Sequence, residues 1–117
     1  MSEPFSLDEF SKIANEFIAK IIDVIEAQDI HNIVDISVGD VVEIDILVEE
    51  SRSGKMQYVL NKHNNYRQIW LVSPLSGPYH FDLLVNSPRK WVDRNGVILE
   101  ELLTKELSQF INQIKFF

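Results

Sequence analysis

The sequence predicts an α+β two-layer sandwich with the order helix, about six strands, helix, in which an antiparallel sheet carries both helices on one face. Apolar residues recur at helical spacing near both ends of the chain and alternate with polar residues between them. Hairpin-length turns separate the alternating segments, which is typical of consecutive antiparallel strands. Two helices on one face would leave the other face of the sheet open to solvent.

The first helix is predicted to begin near Leu7. Ser6 is placed to be its N-cap with Glu9 at N3, a capping box, while Phe5 and Phe10 stand at the positions of a hydrophobic staple. An apolar stripe then runs along one side of the helix. Its members are Leu7, Phe10, Ile13, Ala14, Phe17, Ile18, Ile21, Val24 and Ile25.

The middle of the chain alternates with a period of two, which predicts strands. The predicted strands are 33–38, 41–48, 56–62, 67–73 and 79–85, with a short strand around Trp91 and Val92. The predicted turns are Gly39-Asp40, 49–55, 63–66, 74–78 and 93–96, and His31 and His63 fall in turns. Helical spacing returns from Val97 to Ile114.

A hairpin closed by residues 63–66 would place Lys62 opposite Arg67, Asn61 opposite Gln68 and Val59 opposite Trp70. The predicted core face carries Tyr58, Leu60, Ile69, Leu71 and Trp91, and the open face carries Val59, Asn61, Gln68, Trp70, Val72, His80 and Asp82. A large indole exposed beside amide side chains has the character of an interaction hot spot. A proton-transfer pair of His80 and Asp82 is disfavoured, because no nucleophile or oxyanion motif accompanies it.

Composition predicts one soluble domain spanning residues 1–117. The 117 residues are 45% hydrophobic and 25% charged, contain no cysteine, and include no apolar run near the roughly 20 residues that a membrane helix needs. The lack of cysteine excludes disulfides, a thiolate nucleophile and zinc fingers. We expect a monomer in a reducing compartment, without a leader segment in "MSEPFSLDEF".

Charge is divided unevenly along the chain, whose net charge is -7. Residues 1–50 hold 13 acidic side chains against two basic ones, whereas residues 51–117 hold five acidic and nine basic side chains. The acidic half would repel nucleic acid and attract cations or basic partners. Clustered carboxylates suit hard cations, although a solvated surface helix carries the same kind of charge.

The motifs "YVLNK", "QIWL", "SGP" and "YHFD", followed by "KWV", "DRNG" and "ELL", closely resemble the frataxin family, whose bacterial members are called CyaY. The resemblance spans nearly the whole chain and implies an iron-binding protein of iron-sulfur cluster assembly. Such a protein is an iron donor and a regulator of the complex of cysteine desulfurase and scaffold protein. It binds Fe2+ or Fe3+ weakly at surface carboxylates, and weak ferroxidase activity is known in parts of the family.

Matched by position, the resemblance implies metal ligands at Glu9, Glu16, Asp23, Glu26, Asp29 and Asp35, and partner contacts at Asn61, Gln68, Trp70 and His80. The ridge departs from the family where Ser11, Asn15, Ala27 and Ile30 replace acids or a histidine. The alternative is a protein-interaction module in which metal binding is incidental. The expected compartment is a bacterial cytoplasm, with a mitochondrial matrix as the alternative, and oligomerisation under iron load stays open.

Overall fold

The chain folds in the predicted order of helix, six strands and helix. The computed structural model describes residues 6–29, 32–47, 55–84, 90–111, 114 and 116. The elements are α1 (Leu7–Gln28), β1 (Val34–Val38), β2 (Val42–Leu47), β3 (Lys55–His63), β4 (Gln68–Ser73), β5 (Gly77–Leu84), β6 (Lys90–Val92) and α2 (Leu99–Leu107). None of the helices in these ranges is long and apolar enough to cross a membrane.

The capping box at the start of α1 is confirmed. The hydroxyl of Ser6 accepts a hydrogen bond from the Glu9 backbone N–H at 3.1 Å, and the Glu9 carboxyl accepts one from the Ser6 N–H at 2.8 Å. Phe5 of the predicted staple lies outside the described residues, as do His31 and Val48. The residues that α1 buries all belong to the predicted stripe: Phe10, Ala14, Ile18, Ile21 and Ile25.

The strands form one antiparallel sheet in sequence order, β1 to β6. Both helices lie on the same face of this sheet. Lys62 and Tyr58 of β3 point to the same face of the sheet. The Lys62 ammonium donates a hydrogen bond to Ser11 of α1, and the Tyr58 hydroxyl donates one to Glu106 of α2. Trp91 is buried beside Phe10 and Phe17 of α1. The α+β sandwich with one open face is therefore confirmed.

The register predicted between β3 and β4 is wrong by two residues. His63 pairs with Gln68, so Asn61 lies opposite Trp70 and Val59 opposite Val72. The turn occupies residues 64–67, and Arg67 belongs to it because its φ of 50° is incompatible with an extended strand. A shift by an even number of residues keeps every side chain on its predicted face. The assignment of Trp70 to the open face therefore survives the error.

The second helix is shorter than predicted and ends at Leu107 instead of Ile114. The hydroxyls of Thr104 and Ser108 bond to carbonyls four residues earlier, and Phe110 N–H bonds to the Leu107 carbonyl in a tighter turn. The chain beyond the helix still reaches the core, since Ile111, Ile114 and Phe116 are buried. Apolar spacing alone could not separate a helix from a buried irregular segment.

Candidate functional site

Four rings form a cluster on the open face of the sheet, here called the aromatic stack: His80, Trp70, His63 and Tyr66. The indole of Trp70 lies between two imidazoles, with ring centroids 4.0 Å from His63 and 4.0 Å from His80, and the planes are tilted by 20° and 9°. Tyr66 lies to the side of these three stacked rings, with its ring centroid 5.0 Å from His63 and 6.1 Å from Trp70. Strand pairing explains half of this arrangement, because Trp70 and His80 are direct cross-strand partners.

A chain of hydrogen bonds orients the indole within the stack. Trp70 Nε1 donates to Gln68 Oε1 at 2.8 Å, and Gln68 Nε2 donates to Asp82 Oδ1 at 3.0 Å. Asn61 is the partner of Trp70 on β3. The structure thus brings together all the residues predicted as partner contacts: Asn61, Gln68, Trp70 and His80.

The stack determines how a partner can meet Trp70. Both faces of the indole are covered by imidazoles, so Trp70 is half-buried although it lies on the open face. The covered faces leave the edge of the indole to solvent, whereas Tyr66 is 66% exposed and His80 is exposed, and Val72 is exposed on the same face and strand as Trp70. The arrangement offers an apolar area bordered by amide and carboxyl groups, as expected of a docking surface.

Sequence reasoning missed His63 and Tyr66 as members of this site. The predicted turn began at residue 63, whereas β3 continues through His63. If the predicted strand is extended by one residue, His63 lies two positions after Asn61 and so points to the same face of the sheet. This period of two is the signal that could have identified His63. Tyr66 lies in the turn itself, where period-two reasoning says nothing about direction.

The predicted metal ligands on α1 are too far apart to bind one ion together, except for one pair. Glu16, Asp23 and Glu26 are exposed, and Glu9 is engaged in the capping box. A spacing of seven residues places Glu9, Glu16 and Asp23 about 10 Å apart along the helix axis. One ion with oxygen ligands near 2 Å cannot bridge that gap. Asp23 and Glu26, one turn apart, are close enough to share a cation.

The remaining predicted ligands lie beyond α1. Asp29 is the C-cap, and its two carboxyl oxygens accept the backbone N–H groups of Ile33 and Val34, each at 2.9 Å. Asp35 is exposed on β1 directly opposite Asp45 of β2, so two like charges face each other. Within the described ranges, no group of three or more His, Asp or Glu side chains could hold a metal ion as a preformed site.

A second polar cluster, here called the inner network, lies on the helix side of the same sheet and was not predicted. Glu106 of α2 is buried, and its carboxyl oxygens accept from Tyr58 at 2.7 Å, Ser73 at 2.6 Å and Ser76 at 2.5 Å. Ser73 also accepts the backbone N–H groups of Leu75 and Ser76, which shapes the turn into β5. Burial, reinforced by Glu106, raises the pKa of Tyr58 above its ordinary value of 10.

Comparison with known proteins agrees with the fold. The model of the frataxin-like domain matches residues 3–113. The mitochondrial frataxin homologue of Saccharomyces cerevisiae is 49% identical over 57 residues, which is 48% of this chain and 31% of that protein. Mitochondrial frataxin of Dictyostelium discoideum is 47% identical over 55 residues, 46% of this chain and 28% of that protein. These alignments thus span about a third or less of the curated relatives.

Solved structures extend the likeness to nearly the whole chain. Trimeric yeast frataxin complexed with ferrous ion is 31% identical, with a TM-score of 0.62 over 95% of this chain and 90% of that one. The frataxin of Psychromonas ingrahamii, from the CyaY family, shares the fold with a TM-score of 0.76, at 22% identity over 97% of this chain and 99% of that one. With a family model that covers residues 3–113, the chain belongs to the frataxin family.

Proposed function

We propose that this protein binds iron and acts in iron-sulfur cluster assembly, where it donates iron to, and regulates, the complex of cysteine desulfurase and scaffold protein. The observation that carries the proposal is the open face of a chain of the frataxin family, where Trp70 donates a hydrogen bond to Gln68, lies opposite Asn61 and stacks between two imidazoles. A catalytic centre is not needed for this role, since docking and cation supply are both surface functions.

The open face supports docking of a basic partner. Its β1–β2 edge carries Asp35, Glu43 and Asp45, and its centre carries the aromatic stack. Acidic groups beside a rigid aromatic area suit a partner whose basic side chains surround an apolar patch. The same charge distribution opposes contact with nucleic acid phosphates. Salt would weaken such docking because surface charges are screened.

Iron is the proposed cargo, and weak binding at several surface positions is the form that the carboxylates support. Oxygen ligands suit ferrous and ferric ions, and a relative from yeast is described as complexed with ferrous ion. We assign the first position to Asp23 and Glu26, one helical turn apart, and a second to Asp35 with Asp45 across the strands. Glu16 adds to the local negative potential. Glu9 and Asp29 would bind iron through the carboxyl lone pairs that their backbone hydrogen bonds leave available.

An amide NMR titration with ferrous ion under anaerobic conditions tests the iron positions. Paramagnetic broadening is expected first at Asp23 and Glu26, then at Glu16 and Asp35. The double variant Asp23→Asn, Glu26→Gln should lose the effect on α1. The matched control Glu101→Gln removes an exposed acid of α2 and should leave it unchanged. Broadening that spares α1 altogether would remove the iron position assigned to Asp23 and Glu26.

A pure interaction module is the second candidate, because no three-carboxylate group is assembled within the described residues. In that case the acidic half of the chain steers a basic partner and iron binding is incidental. Desulfurase affinity separates the two candidates when it is measured with and without ferrous ion at two salt concentrations. An affinity that depends on salt and not on iron supports the module, whereas an iron-dependent affinity supports the iron donor.

The relatives bear on the compartment and the assembly state in this proposal. The two curated relatives described above are named as mitochondrial proteins, which favours an organellar matrix over the bacterial cytoplasm expected from the sequence. One yeast relative is described as trimeric. We propose a monomer that associates when loaded with iron, and sedimentation with and without ferrous ion tests this state.

A further inference from the structure

We propose that a groove between α1 and the β1–β2 turn is a binding site for a carboxylate with an apolar tail, of the class of a medium-chain fatty acid. The groove lies on the helix side of the sheet, so this inference goes beyond the proposed docking of the open face and the iron positions. Its volume is about 470 Å³, within the range of about 300–1,000 Å³ that is usual for small-molecule sites. Asn61 of the open face also borders it.

Unequal strand lengths create the groove. The strand β2 begins at Val42, whose partner on β3 is Leu60, whereas β3 continues to His63. Within the described residues, the end of β3 therefore has no strand beside it on the β2 side. The turn at Gly39 and Asp40 borders this gap, and α1 forms the opposite wall. The groove thus follows from the register of the sheet, while the core beneath it stays closed.

One part of the groove is apolar. Leu60, Val42 and Ile18 are the buried members of its lining, and they are 0%, 6% and 8% exposed. Ile22 extends the apolar lining along α1, and Val38 borders it from the hairpin with 71% of its surface exposed. An acyl chain laid between Ile22 and Val38 would remove their exposed area from water, which is the main source of affinity for such a chain.

The other part of the groove is polar and cationic. The Lys62 ammonium donates a hydrogen bond of 2.6 Å to the Ser11 hydroxyl, which places Lys62 beside the first half of α1. Asn15, one helical turn after Ser11, and Asn64, two residues after Lys62, line the groove as well. Among the described lining residues, Lys62 is the only cation. An ammonium has further N–H donors beyond the one that Ser11 accepts, so Lys62 and the two amides can bind a carboxylate together.

The distance between the two parts sets the length of the ligand. Asn15 and Ile22 are seven residues apart on α1, which is about 10 Å along the helix axis. An extended octanoate chain is of about this length. Asp40 of the turn also lines the groove and would repel a second anionic group. The groove therefore fits a monocarboxylate with a tail and opposes a dicarboxylate.

An amide NMR titration of the full chain with sodium octanoate tests the site. Shifts should appear at Ile18, Ile22 and Leu60 and should saturate together. Hexanoate should bind about tenfold more weakly because two methylenes are lost. Octanol and octylammonium should each bind at least about tenfold more weakly than octanoate, since neither offers a carboxylate to Lys62. Shifts confined to the aromatic stack, or equal affinity for the three head groups, overturn the proposal.

Two variants locate the tail and the head of the ligand. Ala19→Trp fills the groove from an exposed lining position and should abolish octanoate binding, whereas Ala27→Trp places the same ring at an exposed position of α1 outside the groove and should not. Lys62→Met should weaken octanoate binding by about tenfold and leave octanol binding unchanged. Lys12→Met removes an exposed cation of α1 and is the charge control.

The variants give clear contradicting outcomes. Octanoate affinity that survives Ala19→Trp overturns the site, and equal losses in Lys62→Met and Lys12→Met overturn the role of Lys62 as the carboxylate ligand. Melting temperatures show whether each variant is folded. Because Ala19 is exposed, its replacement tests the site even if Lys62→Met loses stability with the bond to Ser11.

Discussion

The two faces of strands β3 to β5 carry polar clusters that differ in what holds them. On the helix side, the inner network joins Tyr58, Ser73 and Ser76 to one buried carboxyl of Glu106. On the open side, the aromatic stack holds Trp70 by ring contacts and a single hydrogen bond. The first cluster links a turn to a helix, whereas the second links neighbouring strands and touches solvent.

The difference predicts that one set of strands separates stability from the proposed docking. Buried hydrogen bonds are costly to break because the groups left behind are cut off from water. A half-exposed stack can be altered at small cost because water replaces what is removed. Neighbouring residues follow this division: Ser73 belongs to the inner network, while Val72 is 49% exposed on the open face. We therefore expect variants of the inner network to change unfolding and variants of the stack to change docking.

The largest effect is expected for Glu106→Ala. Its carboxyl accepts three hydroxyl groups, two of them on the buried side chains of Tyr58 and Ser73. Removing it should lower the free energy of unfolding by about 3 kcal/mol, measured by urea denaturation. The exposed Glu101→Ala on the same helix should change it by less than about 0.5 kcal/mol. Equal effects would mean that the network contributes nothing specific.

Trp70→Ala should weaken docking strongly and change the free energy of unfolding little, the reverse of what is expected for Glu106→Ala. Loss of a central docking residue costs about 2 kcal/mol or more, which is about a thirtyfold weaker affinity for the assembly complex by calorimetry. Loss of ring stacking should lower unfolding free energy by only about 1 kcal/mol. Unchanged affinity with a much lower melting temperature would instead show that Trp70 is a core residue.

Tyr58→Phe tests the inner network through the pH dependence of stability. Near neutral pH it removes one hydroxyl and should cost about 1 kcal/mol of unfolding free energy. Burial raises the pKa of Tyr58 in the folded protein, so above pH 10 the unfolded chain loses a proton that the native state retains. Stability of the wild type therefore falls as pH rises above 10, and the variant should lose part of this alkaline slope. An identical slope in both proteins would contradict the cause given for the shift.

The smallest effect is expected for Gln68→Ala, which cuts the hydrogen-bond chain from Trp70 to Asp82. The free energy of unfolding should fall by about 0.5 kcal/mol, and the affinity for the assembly complex should fall by about threefold. Gln57→Ala is the matched control, because Gln57 donates a similar cross-strand bond to Asp45 away from the stack. Its effect on the unfolding free energy should be similar, and its loss of docking affinity should be smaller because the charge of Asp45 stays in place. Equal docking losses would show that the contact is spread over the whole face.

The hydrophobic pattern predicted the fold well. The sheet face of a side chain depends only on whether its position along the strand is odd or even, and the layers depend on the order of helices and strands. The core positions of Tyr58 and Trp91 and the open position of Trp70 followed from these rules and are confirmed. The pairing register of β3 and β4 could not be predicted from these rules, because Arg67 adopts a turn conformation that the spacing of apolar residues does not reveal. The role of Glu106 could not be predicted either, since its acceptor function depends on hydroxyls 30 or more residues away in sequence. Which acids share an ion remains a prediction.

The most direct test of the separation between the two faces is to map the bound assembly complex on the isotope-labelled protein by NMR cross-saturation. The complex of desulfurase and scaffold protein should saturate the amides of Asn61, Gln68 and Trp70. Amides of the inner network at Ser73, Ser76 and Glu106 should stay unaffected. Saturation concentrated on α2 and the inner network, with the aromatic stack untouched, would contradict the assignment of the open face as the docking surface.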